Sequence, residues 1–153
     1  AAIGIPGLGL YLASRGLGLS AKVIPADLNA NWWIPLVLLL MAAKAALLEE
    51  TVVVAYLLDT LDRLGVRPVV ATVVSAVLRG AYHMYQGVGG FVGNLVMGLI
   101  FAGYFRRLRA KAELAPSRAG KYTALWPLVA AHFALDAVIF VGYSLLNLKD
   151  VLP

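Results

Sequence analysis

Four stretches of this 153-residue chain are apolar enough to cross a lipid bilayer, and every one of them carries ionisable or amide side chains in its interior. A membrane-spanning helix needs about 20 predominantly apolar residues. The stretches run from about Trp32 to Leu61, Pro68 to Gln86, Val88 to Phe105 and Ala124 to Leu148. Hydrophobic residues make up 61% of the chain and charged ones 14%, whereas a soluble domain is roughly half apolar and about a quarter charged. Together with a mean hydropathy of +0.84, that balance excludes a disordered chain, a soluble nucleic-acid module and most water-soluble enzymes. The expected fold class is all-α: a polytopic transmembrane bundle of at least four spans, with a polar cavity between its helices.

The net charge of +5 is a topology marker, because six of the 13 basic residues lie between Arg106 and Lys121. This loop, residues 106–121, is expected to be cytoplasmic by the positive-inside bias and to touch anionic lipid. Alternation then puts the Asp62–Arg67 turn inside and the Gly87–Gly90 turn outside. Residues 1–31 read as the end of an upstream span or an interfacial segment followed by an outside loop, and residues 32–148 as the membrane core. The chain starts with Ala and shows no charged region followed by a cleavage site, so it reads as an internal piece of a longer protein. With no cysteine, disulfide scaffolds, iron–sulfur centres and a thiol nucleophile are excluded.

An ionisable group in hydrocarbon costs several kcal/mol, so each one inside a span is a functional-site hypothesis. The first span holds Lys44, Glu49 and Glu50, the second Arg79 and His83, and the fourth His132 and Asp136; Asn94 lies in the third. At roughly 1.5 Å per residue, Glu49, Arg79, His83, His132 and Asp136 fall about 12 to 22 Å from the cytoplasmic ends, in mid-membrane. Spacing of i, i+4 puts His132 with Asp136 on one helix face and Arg79 with His83 on another. Adjacent Glu49 and Glu50 point about 100° apart, so one can face a cavity while the other contacts a neighbour.

Polar groups of this kind also serve simply to hold membrane helices together, which is the bland reading for any one of them. Convergence of the whole set at one depth favours a site. Lys44 is the weakest member, since it can snorkel along another face. Two histidines and several carboxylates are suitable metal ligands, but no two-His spacing on one helix points to a metal. The GVGGFVG string at Gly87–Gly93 lacks the Lys-Ser/Thr and the strand-to-helix context of a phosphate loop. Ser75 shares a helix with His83, two turns away, and makes a poor nucleophile.

The order Glu49-Glu50, then LRGAYHMYQG with His83, then AHFALD with His132 and Asp136 resembles the CPBP intramembrane proteases, which include the CAAX prenyl endopeptidases and bacteriocin-processing proteins. That family carries EExxxR, FxxxH and HxxxN or HxxxD on consecutive core helices, and the resemblance covers about residues 32–147. Here Val54 stands where the first motif has Arg, and Arg79 stands where the second has Phe. Arg79 is therefore expected to supply the missing positive charge to Glu50 from the other helix.

The resemblance implies a glutamate-type intramembrane endopeptidase with Glu49, His83, His132 and Asp136 catalytic and Glu50 and Arg79 supporting. Glu49 would be general base, His83 would help hold the water, and His132 would donate to the oxyanion, with Asp136 either orienting His132 or, when protonated, sharing that duty. No cofactor is implied. Expected partners are membrane lipids and a membrane-associated peptide or protein substrate, within a larger membrane complex in one reading; nucleic acid is not among them. The family branch points to a bacterial plasma membrane. Two other readings stay open: a catalytically silent scaffold or accessory subunit, and a small transporter or proton relay built on the same buried groups.

Overall fold

The structure is a computed structural model that describes residues 13, 14, 16–19, 32–114 and 123–145. Of the segment expected to precede the core, only residues 13, 14 and 16–19 fall among them, and the second half of the basic loop lies outside them. The described elements from residue 32 onward are helical, with no strand among them. They are α1 (Ile34–Glu49), a π-helix (Glu50–Tyr56), α2 (Leu57–Arg63), α3 (Pro68–Tyr82), a 3-10 turn (Met84–Gln86), α4 (Val88–Glu113) and α5 (Trp126–Leu145).

The helical run from Ile34 to Arg63 is unbroken, but its hydrogen-bond register changes inside it. At the end of the π-helix the Leu57 N–H reaches back to the Val52 carbonyl, one residue further than an α-helix allows. The carbonyl deprived of its α-helical donor is that of Val53. Ser75, buried on α3, donates its hydroxyl to that oxygen at 2.6 Å. A hydroxyl that is no nucleophile thus repairs a backbone bond of the neighbouring helix.

Chemistry at the chain's turns explains where the helices stop. Gly65, at φ +76°, ends α2: its N–H bonds to the Asp62 carbonyl and the Val66 N–H to the Leu61 carbonyl, which is a Schellman motif. Pro68 then opens α3, where the missing N–H removes no intrahelical bond. Beyond the expected span end at Phe105, α4 continues through Arg106 to Glu113. Arg, Leu, Ala, Lys and Glu are strong helix formers, so the first half of the basic loop is helix.

Packing joins α3 to α4 and α1 to α5 most extensively. The first pair comes unusually close because Gly98 faces Ala76, and a Cβ on Gly98 would lie 2.8 Å from the Ala76 Cα. Small residues allow this approach in membrane helices. A compact apolar core formed by Val54, Leu58, Ala71, Phe101, Ala102, Phe105, Ala124 and Leu128 ties the helices together on one side of the polar residues. Elsewhere much of the helical surface is exposed and apolar, including Leu36, Leu40, Val69, Val73 and Val96. Among the described residues, Val88–Ala112 alone is long and apolar enough to cross a membrane; Pro68–Tyr82 and Trp126–Val138 are apolar but shorter.

Candidate active site

Three segments far apart in sequence deliver charged side chains to one buried point. The junction of α1 and the π-helix brings Glu49 and Glu50, the last turn of α3 brings Arg79, and α5 brings His132. Arg79 is the hub: its side chain is fully buried, and it donates from Nη1 to Glu50 Oε1 at 2.8 Å while Nη2 lies 3.2 Å from Glu49 Oε2. One guanidinium spans both carboxylates because its fork presents donors along two directions. The Phe101 ring lies beneath it, 5.4 Å from Cζ, at cation–π distance.

The two glutamates differ in environment. Glu50 has no exposed side-chain surface, whereas Glu49 keeps 20%. Glu50 therefore faces neighbouring helices and Glu49 the open side, the division that their angular separation allows. Glu49 Oε2 also accepts from the Tyr82 hydroxyl at 2.8 Å, so one hydrogen bond and the nearby guanidinium charge both act on that oxygen. Within the cluster, Glu50 Oε2 and Arg79 Nε are buried without a hydrogen-bond partner among the described residues. Buried polar atoms are nearly always paired, and exceptions tend to mark functional groups or bound water.

His132 is buried with Nδ1 2.8 Å from Glu50 Oε1 and 3.1 Å from Arg79 Nη2. Accepting from Arg79 makes Nε2–H the ring's donor; donating to Glu50 leaves Nε2 free or, in the imidazolium, also protonated. In each case Nε2 is the atom turned toward the half-exposed Asp136, whose Oδ2 lies 3.5 Å away. That distance is too long for a strong hydrogen bond, so neither atom is committed to the other. The edge of this imidazole meets Phe101 with centroids 6.2 Å apart.

His83 sits just past α3 and is half-buried. Its Nδ1 lies 2.9 Å from the Arg79 carbonyl, an oxygen that can only accept, so Nδ1 carries the proton and Nε2 keeps its lone pair. Its ring lies against Tyr82, with centroids 4.6 Å apart, and is stacked on Tyr85 at 6.2 Å. Arg79 and His83 are thus joined through backbone as well as helix face.

Of the residues read from the sequence, Glu49, Glu50, Arg79 and His132 share direct contacts, Asp136 adjoins His132, and His83 joins through Tyr82 and the Arg79 carbonyl. Lys44 is exposed on α1 and takes no part. Asn94 is used locally, donating to the Gly90 carbonyl at 3.0 Å. Among the described residues no three His, Asp or Glu side chains are grouped to hold a metal ion. Sequence reasoning left Tyr82 aside, although its i, i+3 spacing from Arg79 puts both on one face. Phe101 carried no signal beyond apolarity.

Residues 31–138, well over half of the chain, match the family model described as type II CAAX prenyl endopeptidase Rce1-like. No curated protein and no solved structure matches.

Proposed function

The chain belongs to the Rce1-like type II CAAX prenyl endopeptidase family, and from that premise we propose that it is an intramembrane endopeptidase using a Glu49-activated water. Membership makes it a membrane protein of a protease family. The observation that carries the mechanism is the convergence of Glu49, Glu50, Arg79 and His132 within 2.8 to 3.2 Å contacts from three separate segments.

In this reading the unheld Oε1 of Glu49 takes a proton from a water that His83 Nε2 helps to orient. The water oxygen attacks the peptide carbonyl, and the oxygen that becomes negative receives hydrogen bonds from His132 Nε2–H and from Asp136 in its protonated form. Collapse of the tetrahedral species breaks the C–N bond, and Glu49 returns its proton to the departing amine. Glu50 and Arg79 stay paired throughout, Arg79 supplying from α3 the charge that the family places where Val54 stands. The chemistry needs no cofactor. The remaining apolar stretches complete a bundle of at least four spans in a bacterial plasma membrane, with the 106–121 loop cytoplasmic. The substrate is a peptide or protein at the membrane, either a prenylated C-terminus or an unmodified membrane peptide.

One observation favours a second reading, a catalytically silent scaffold or accessory subunit: Arg79 Nη2 lies 3.2 Å from Glu49 Oε2, an ion pair of the kind that serves simply to hold membrane helices together. N-terminal proteomics on membranes carrying the wild type or Glu49→Gln at equal expression separates the two. Neo-termini that vanish with Glu49→Gln are expected. Identical termini, with a phenotype only on deletion, would leave the scaffold standing.

A further inference from the structure

We infer that Tyr82 is a positioning residue for the Glu49 carboxylate, fixing which of its two oxygens faces the water; this rests on the peptidase reading above. Tyr82 closes α3 one turn beyond Arg79, and the two side chains grip the same atom. The hydroxyl donates to Glu49 Oε2 at 2.8 Å, and Arg79 Nη2 lies 3.2 Å from it. Among the described residues nothing holds Oε1. A carboxylate can exchange its oxygens by rotation about its terminal bond, and a base used for proton abstraction needs one of them presented at a fixed angle. The Tyr82 hydrogen bond to Oε2, backed by the charge of Arg79 beside it, suppresses that rotation before substrate arrives, the kind of prior ordering that catalysis exploits.

The same ring also sets the distance between Glu49 and His83. Its face lies 4.6 Å from the imidazole centroid, tilted by 39°, while its hydroxyl end is on the carboxylate. Tyr82 is therefore in contact with both groups proposed to handle the water. Arg79 cannot replace it, because its guanidinium is already committed to Glu50 and placed against His132. Loss of the hydroxyl leaves Oε2 with the ion pair to Arg79 but no hydrogen bond among the described residues.

The test uses the full-length protein in detergent and an internally quenched peptide ending in farnesylated Cys followed by three residues, with an unprenylated membrane peptide in parallel. Wild type, Glu49→Gln, Tyr82→Phe and the double variant are compared, with thermal unfolding recorded for each. Tyr82→Phe is expected to lower kcat about ten- to a hundredfold while KM and the unfolding temperature stay at wild-type values. In the Glu49→Gln background the same change is expected to do nothing more. Replacement of Tyr82 by 3-fluorotyrosine keeps ring and hydroxyl and must keep the wild-type rate, which guards against a folding defect in the Phe variant. A wild-type kcat in Tyr82→Phe, with Glu49→Gln inactive, overturns the positioning role alone. An effect on KM only makes Tyr82 a substrate contact and overturns it too. Cleavage retained by Glu49→Gln, or no cleavage of either peptide by wild type, overturns the peptidase reading and the Tyr82 role with it.

Discussion

Among the described residues arginine and carboxylate meet in two clusters, and they are built to opposite specifications. One joins Glu49, Glu50, Arg79 and His132 in the interior. The other lies at the far end of α2 and α4, where Arg106 makes a fork onto Asp62, Nη1 to Oδ2 at 3.0 Å and Nη2 to Oδ1 at 2.8 Å, with Nε donating to Thr72 at 3.0 Å. Arg109 adds a bridge to Asp59 at 3.0 Å. In the outer cluster the Arg106 side chain keeps 23% of its surface exposed and all three of its nitrogens are used. In the inner one Arg79 has no exposed surface, yet its Nε and Glu50 Oε2 go unpaired. A clasp that satisfies every donor at a half-wet surface is a strut. A buried cluster with unused polar atoms is a costly way to hold helices together, which supports the catalytic role proposed for it.

That contrast can be broken by measurement, and the largest effect is expected at Arg79. Arg79→Leu strands two buried or half-buried carboxylates and should cost about 3 to 5 kcal/mol, read as a large fall in unfolding temperature or failure to accumulate, with cleavage lost. A variant that folds and cleaves normally would show that Arg79 supplies no charge the site needs. Ser75→Ala sits between the clusters in place and in size: it leaves the Val53 carbonyl buried without a donor, at about 1 to 3 kcal/mol. Thermal unfolding that matches wild type would mean that the π-helix is held by packing alone. Arg106→Ala should be mildest, about 1 kcal/mol or less, and its cost should shrink as salt is raised, because partly exposed pairs are screened. If Arg106→Ala proves as damaging as Arg79→Leu, or equally costly at every ionic strength, the distinction between strut and site fails.

Much of the site was legible before any fold was known, because charge inside an apolar stretch is costly and stands out. Glu49, Glu50, Arg79, His83, His132 and Asp136 all announce themselves in that way. Tyr82 did not, since a tyrosine at the end of an apolar helix is ordinary and only its hydroxyl's target gives it meaning. Ser75 was read for nucleophilicity, the wrong property, because no pattern in the sequence announces a π-helix one segment earlier.

The sequence by itself determined the helical class, the apolar stretches and the polar residues within them, since composition and hydrophobic length decide those without reference to a partner. Pro68 also marks a boundary, because a missing N–H acts locally, whereas the helix-ending role of Gly65 came only with the fold. Tertiary structure decided the rest. Whether Arg79 reaches one glutamate or both depends on how closely α3 and the Glu49–Glu50 junction pack, across which Ser75 repairs the register change, while the Gly98–Ala76 approach seats α3 on α4. Contacts between residues 29 to 82 positions apart are set by the mutual rotation of helices, and a one-residue shift in hydrogen-bond register turns every following side chain to a new direction.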